Sequence, residues 1–111
     1  MHEMKLEDYF FERMKLGYKT IEIRLNDEKR QKLEIGDQIR FTNIDTNEHM
    51  VVDIIDLYHY KDFYELYDHF DKVSIGYLED EEADPNDMLK LYSKEEIAKY
   101  GVLAIEVVVN E

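Results

Sequence analysis

The sequence contains no cysteine, no tryptophan, one proline and four glycines. Without cysteine there is no disulfide scaffold, no thiolate zinc site and no cysteine nucleophile. A reducing cytoplasm is the simplest setting for such a chain and is the expected location. The few glycines assemble no glycine-rich phosphate loop, nucleophile elbow or dinucleotide fingerprint. No apolar run approaches the ~20 residues of a membrane span, and Met1-His2-Glu3-Met4 lacks the basic start and apolar centre of a secretion signal. No membrane association is expected. Basic residues are also scarce: 14 Lys+Arg stand against 27 Asp+Glu, a net charge of -13. That balance argues against non-specific coating of DNA, because phosphate binding rests on clustered lysine and arginine.

What is present suffices for a core. The 111 residues fit one domain, 1–111, and 44% of them are hydrophobic and 13% aromatic. The charge, however, is uneven. Residues 1–43 hold nine basic and nine acidic residues, so this segment is neutral. Residues 44–111 hold the other five basic and 18 acidic residues and carry the whole -13. An acidic face is therefore expected beside a mixed-charge region that an anion could approach.

Leu6, Tyr9, Phe10 and Met14 fall at i, i+3, i+4 and i+8, one face of a helix, with Lys15 and Gly17 as its stop. Tyr18 to Arg24 alternates with period two and predicts a strand. Asn26 to Glu34 is polar and reads as a loop. Gly36-Asp37 turns into a second strand through Ile39 and Phe41, and Asp45-Thr46-Asn47-Glu48 into a third, Met50 to Tyr58. Phe63, Leu66, Tyr67 and Phe70 return to helical spacing, with Asp62 and Glu65 placed as a capping box. Glu79 to Asp87 is an acidic linker around Pro85. Ser93-Lys94-Glu95-Glu96 opens a last helix, Gly101 ends it, and Val102 to Val109 is a final strand. At least four strands mixed with short helices predict an α+β domain: a small, mostly antiparallel sheet or barrel with helices packed on it.

Lys19 to Arg24 departs most from core logic. On an ideal strand Thr20, Glu22 and Arg24 share one face, and Ile21 and Ile23 the other. Lys19 falls on the isoleucine side unless the chain bends near Gly17; a bend there swings its ammonium toward Glu22. A carboxylate between two cations would leave donors to grip an anion, a carbonyl or a base edge. The plain alternative is an exposed Glu22–Arg24 strand pair, worth at most ~1 kcal/mol.

Gly17-Tyr18-Lys19-Thr20-Ile21-Glu22-Ile23-Arg24 resembles the G-x-K-x-x-E-x-R signature of ASCH domains, members of the PUA-like superfamily. The resemblance covers nearly the whole chain. A helix precedes the motif, Gly36-Asp37 opens the next strand, Asp62-Phe63-Tyr64-Glu65-Leu66 follows the third, and Tyr92-Ser93-Lys94-Glu95-Glu96…Tyr100-Gly101-Val102 matches small stand-alone bacterial members. It implies a PUA-like, mostly antiparallel β-barrel with surrounding short helices and a cleft lined by the signature. It also implies RNA or a small nucleotide-like ligand as partner. Position by position, Arg24 would clamp a phosphate or carbonyl, Lys19 would supply a point charge, and Glu22 would accept from a base amino group. Thr20 completes the candidate ligand-binding set. One similar branch hydrolyses N4-acetylcytidine with a lysine-activated threonine and a glutamate. Lys19 matches that lysine, but Glu22 stands where the threonine belongs, and Thr20 is not equivalent. An amidohydrolase acting on an acylated nucleoside would here use Glu22 as general base and Lys19 as electrophilic partner.

Other signals are weaker. The acidic run 79–87 lacks the alternating ligands and central glycine of a calcium loop and reads as a solvated linker. His2, His49, His59 and His69 show no ligand spacing, so no metal and no cofactor is expected. Tyr9 and Tyr67 are expected in the core, whereas Tyr18, Tyr58 and Tyr60 are candidates for stacking on a base. No obligate protein partner is evident, although the acidic face would suit a protein-interaction module.

Overall fold

The structure is a computed structural model in which residues 1–110 are described. Five strands form one sheet: β1 (His2–Leu6), β2 (Ile21–Leu25), β3 (Gln38–Asn43), β4 (His49–Tyr60) and β5 (Val102–Val109). Three helices accompany them, α1 (Asp8–Lys15), α2 (Phe63–His69) and α3 (Lys94–Tyr100), with 3-10 turns at Arg30–Lys32 and Pro85–Lys90. The strand order is β1-β3-β4-β5-β2. The β1–β3 pair is parallel and the other three are antiparallel, so the fold is α+β with a mixed sheet. Strand β4 shifts register between Ile54 and Asp56 where it pairs with β5, an irregularity of the kind that bends a strand. The sheet curls into a half-barrel rather than a closed barrel. Its two edge strands, β1 and β2, approach across an open seam that the Arg24 side chain spans to reach the Lys5 carbonyl at 2.7 Å.

Both faces of the sheet are covered. Met4, Phe11, Met14, Ile39, Phe41, Val52 and Leu103 belong to one core, under α1. Ile21, Leu25, Phe63, Leu66, Ile97, Val102 and Ala104 belong to a second, under α2 and α3. Strand β5 feeds both by alternation, which is why it reads as an unbroken apolar run.

Local signals translate directly. Ser93 and Glu96 form a reciprocal capping box, Asp62 makes one half of the expected second box, its Oδ1 accepting from the Glu65 amide at 2.9 Å, and Gly101 ends α3 at φ +70°. The first helix differs from expectation. Leu6 lies in β1, paired in parallel with β3, and α1 starts only at Asp8. Its buried residues are Phe11 and Met14, while Tyr9 is 38% exposed, beneath the Arg13 guanidinium and donating its hydroxyl to Glu81. The loop at 26–34 is also more ordered than its polarity implies, since it buries Leu33 and forms a 3-10 turn. Nor is the acidic segment merely solvated. Glu81 accepts from the Leu78 amide at 2.6 Å, Asp87 from the Tyr77 hydroxyl at 2.8 Å, and Met88 is buried. Its carboxylates serve as acceptors for local donors.

Candidate functional site

The chain leaves α1 through a turn at Gly17, φ +89°, before entering β2 at Ile21. Lys19 therefore precedes the strand and escapes its alternation. Its Nζ lies 3.1 Å from Glu22 Oε1. On the strand itself Ile21, Ile23 and Leu25 pack toward the second core, which turns Glu22 and Arg24 to the other face. Arg24 Nε donates to Glu22 Oε2 at 2.5 Å. One carboxylate is thus held between two cations, and the triad carries one net positive charge.

An exposed strand pair is ruled out by burial. Lys19 is 2% exposed and Glu22 5%. Phe10 lies over the ammonium, and Gly76 sits so close that an added Cβ would stand 3.1 Å from the Phe10 ring and 3.4 Å from Lys19 Cδ. Lys19 also donates to the Ile21 and Ile75 carbonyls at 2.6 and 3.3 Å, so all three ammonium N–H bonds have acceptors. Burial pulls Lys19 below the usual lysine range, with Arg24 adding to the fall and Glu22 opposing it. On Glu22 burial pushes upward, but the charges of Arg24 and Lys19 outweigh it and hold the carboxyl below its ordinary value. Burial likewise opposes the Arg24 charge, and the Glu22 carboxylate more than offsets it.

Arg24 is the member that reaches the surface. Its outer guanidinium edge helps line a cleft of about 340 Å³ at the seam, together with Lys5, Lys29 and Arg30, and with Glu3 and Thr42. Lys29 crosses the same seam, donating to the Glu3 carbonyl at 2.8 Å. A larger cleft of about 420 Å³, near Phe63, Tyr64, Lys94 and Ile97, contains none of the signature residues.

The four expected residues do not all meet. Lys19, Glu22 and Arg24 converge. Thr20 stands apart, half-buried, with its amide donating to Ser74 O and its carbonyl accepting from the Val107 amide, both at 3.0 Å. Of the three tyrosines singled out, Tyr58 is engaged by Glu106 at 2.8 Å and Tyr60 stacks on His69. Tyr18 is 63% exposed. Lys5, Lys29 and Arg30 were not expected at the site. The basic cluster Lys29-Arg30-Gln31-Lys32 was the available signal, hidden inside a segment that reads as a loop. Among the described residues no three His, Asp or Glu side chains group as metal ligands. No helix there is long and apolar enough to cross a membrane.

A curled mixed half-barrel wrapped by short helices is the PUA-like fold of ASCH domains. A model of the ASCH domain matches residues 4–110, and the chain belongs to that family. Such domains are often linked to RNA binding. The crystal structure of hypothetical protein PH0355 is similar, with 30% identity, a TM-score of 0.84 and 97% of each chain covered. So is the NMR structure of protein PF0455 from Pyrococcus furiosus, 32% identical with a TM-score of 0.72, covering 99% of this chain and 97% of that one. No curated protein sequence matches the chain.

Proposed function

We propose that this ASCH domain binds RNA or a small nucleotide-like ligand at the seam, with Arg24 as the contacting member of the signature. The reading is carried by one observation: a buried ion triad with net positive charge whose only partly open member, Arg24, lines a basic cleft. Lys19 and Glu22 act from beneath. They fix the guanidinium in orientation, so a ligand meets an ordered donor rather than a mobile side chain. This division of labour favours binding over hydrolysis. A general base needs a free carboxylate oxygen near its substrate, whereas both Glu22 oxygens are engaged and its basicity is depressed.

Titration of fluorescently labelled short RNAs and a nucleoside panel, repeated over a range of salt, tests the proposal. Arg24→Gln should weaken binding at least tenfold while circular dichroism shows an intact fold. Unchanged binding would remove Arg24 from the site. Turnover of N4-acetylcytidine above that of a Glu22→Gln control would replace binding by amide hydrolysis.

A further inference from the structure

The seam cleft differs in charge from the rest of the molecule. Lys5, Arg24, Lys29 and Arg30 line it, with Glu3 as the one carboxylate on its wall. The carboxylates paired with these cations, and Glu3 itself, are engaged. Glu3 is gripped by Arg40 through bonds of 3.1 and 2.6 Å, Asp27 by Arg30 at 3.2 Å, and Glu22 by Lys19 and Arg24. Counting these partners, six cations face three carboxylates, a local excess of three positive charges in a chain of net charge -13. An anion entering here meets a field opposite to that over most of the surface.

Two buried side-chain atoms lack a partner among the described residues: Asn26 Oδ1, an acceptor outside the cleft lining, and a donor on a residue that lines it. Arg30 Nε is buried with no hydrogen-bond partner among the described residues, an arrangement that costs about 1–3 kcal/mol when nothing fills it. Arg24 spends Nε on Glu22 and one Nη2 hydrogen on Lys5 O; its Nη1 makes no hydrogen bond among the described residues. The main chain adds more. Glu3 and Lys5 point their carbonyls across the seam, and a strand residue carries its N–H on the same edge as its C=O. Strand β1 pairs only through its other edge, with β3, so the amides of Glu3 and Lys5 also face the seam. A cleft that is positive and rich in spare donors fits an oxyanion with several acceptor oxygens.

We propose that this cleft seats a terminal phosphate monoester: the 5′- or 3′-phosphate of a mononucleotide or of an RNA end. A monoester carries about -1.5 to -2 charges at neutral pH and three strong acceptor oxygens, against a single charge for an internal diester. The former matches the cleft better. The excess of carboxylates over the rest of the chain also disfavours a long strand running onward. The inference deepens the proposed function and rests on it for the rest of the ligand.

Calorimetric titration at low salt tests it with inorganic phosphate, a mononucleotide, its nucleoside, and one trinucleotide with and without a 5′-phosphate. The mononucleotide should bind at least tenfold more tightly than the nucleoside. Arg30→Gln should collapse that ratio, and so should Lys29→Gln, whose exposed side chain gives up a single seam hydrogen bond, with circular dichroism checking that the fold is kept. Equal affinities for nucleotide and nucleoside would overturn the phosphate seat while leaving ligand binding at the seam standing. Equal affinities for the two trinucleotides would overturn the choice of a terminal group. Inorganic phosphate bound through Arg30, with no nucleoside or RNA preference, would keep the seat and discard the nucleotide reading. No binding by any probe would discard both.

Discussion

Glu22 is a carboxylate taken out of water and kept ionised by the two cations that touch it. Removing its charge leaves Lys19 and Arg24 close together with little solvent between them. Because breaking one partner of a buried ion pair strands the other, Glu22→Gln should cost about 3–5 kcal/mol in urea unfolding. A loss below about 1 kcal/mol would mean that the triad behaves as a surface pair. Its pH dependence has a definite sign. In the folded state the carboxyl lies below its ordinary value, so near pH 4 the unfolded chain binds a proton that the folded chain refuses. The stabilisation is complete above the unfolded value of about 4.3 and is lost as pH falls through the folded one. The acid limb of stability against pH should therefore be steeper in the parent than in Glu22→Gln; parallel limbs would assign the titration to another group. Gly76 shows a different constraint. With φ +119° and Phe10 and Lys19 close to any added Cβ, Gly76→Ala should lower stability by about 1–3 kcal/mol in a thermal melt.

Between elements, the seam is the distinctive feature. Strand β1 pairs only with β3 and β2 only with β5, so the two edges are joined by side chains rather than by a ladder. Arg24→Gln removes one such bridge. Hydrogen exchange of the β1 amides should then rise roughly tenfold, the equivalent of one hydrogen bond, while β4 and β5 keep their protection. Uniform acceleration across the sheet would show that Arg24 acts on global stability instead. The elements also differ in how openly the chain displays them. The Ser93–Glu96 box and the Asp62 cap were readable because both partners lie within three residues. The face of α1 was not. Leu6 looks helical beside Tyr9 and Phe10, yet its backbone is claimed by β3, more than thirty residues away, and the helix begins later and buries Phe11 instead.

For the whole molecule the net charge of -13 acts through solvent. Repulsion among unpaired carboxylates opposes compaction, and salt shortens its range from about 30 Å at 0.01 M to about 8 Å at 0.15 M. The melting temperature should rise over that interval. A fall would indicate that the ion pairs outweigh the repulsion. Binding should show the opposite trend with a small slope. One or two phosphates on a single strand release few counterions, so log K against log salt should slope no more steeply than about -2. A slope several times larger would indicate an extended nucleic-acid track.

The sequence by itself determined the α+β class, the helix caps, the strands from Ile39 onward and the signature from Gly17 to Arg24, because each depends on spacing or on partners a few residues apart. For Lys19 it set only a condition, that the ammonium reaches Glu22 if the chain bends near Gly17. Tertiary structure decided the rest. The register of β1, the curl of the sheet into a half-barrel, the covering of Lys19 and Glu22, and the meeting of Lys5 with Lys29 and Arg30 all depend on strands far apart in the chain. Alternation along β2 says which residues share a face, but not that both faces are covered. That was set by the curl of the sheet, which brings its edges together and turns a surface charge pattern into a buried clamp with one arm at the seam.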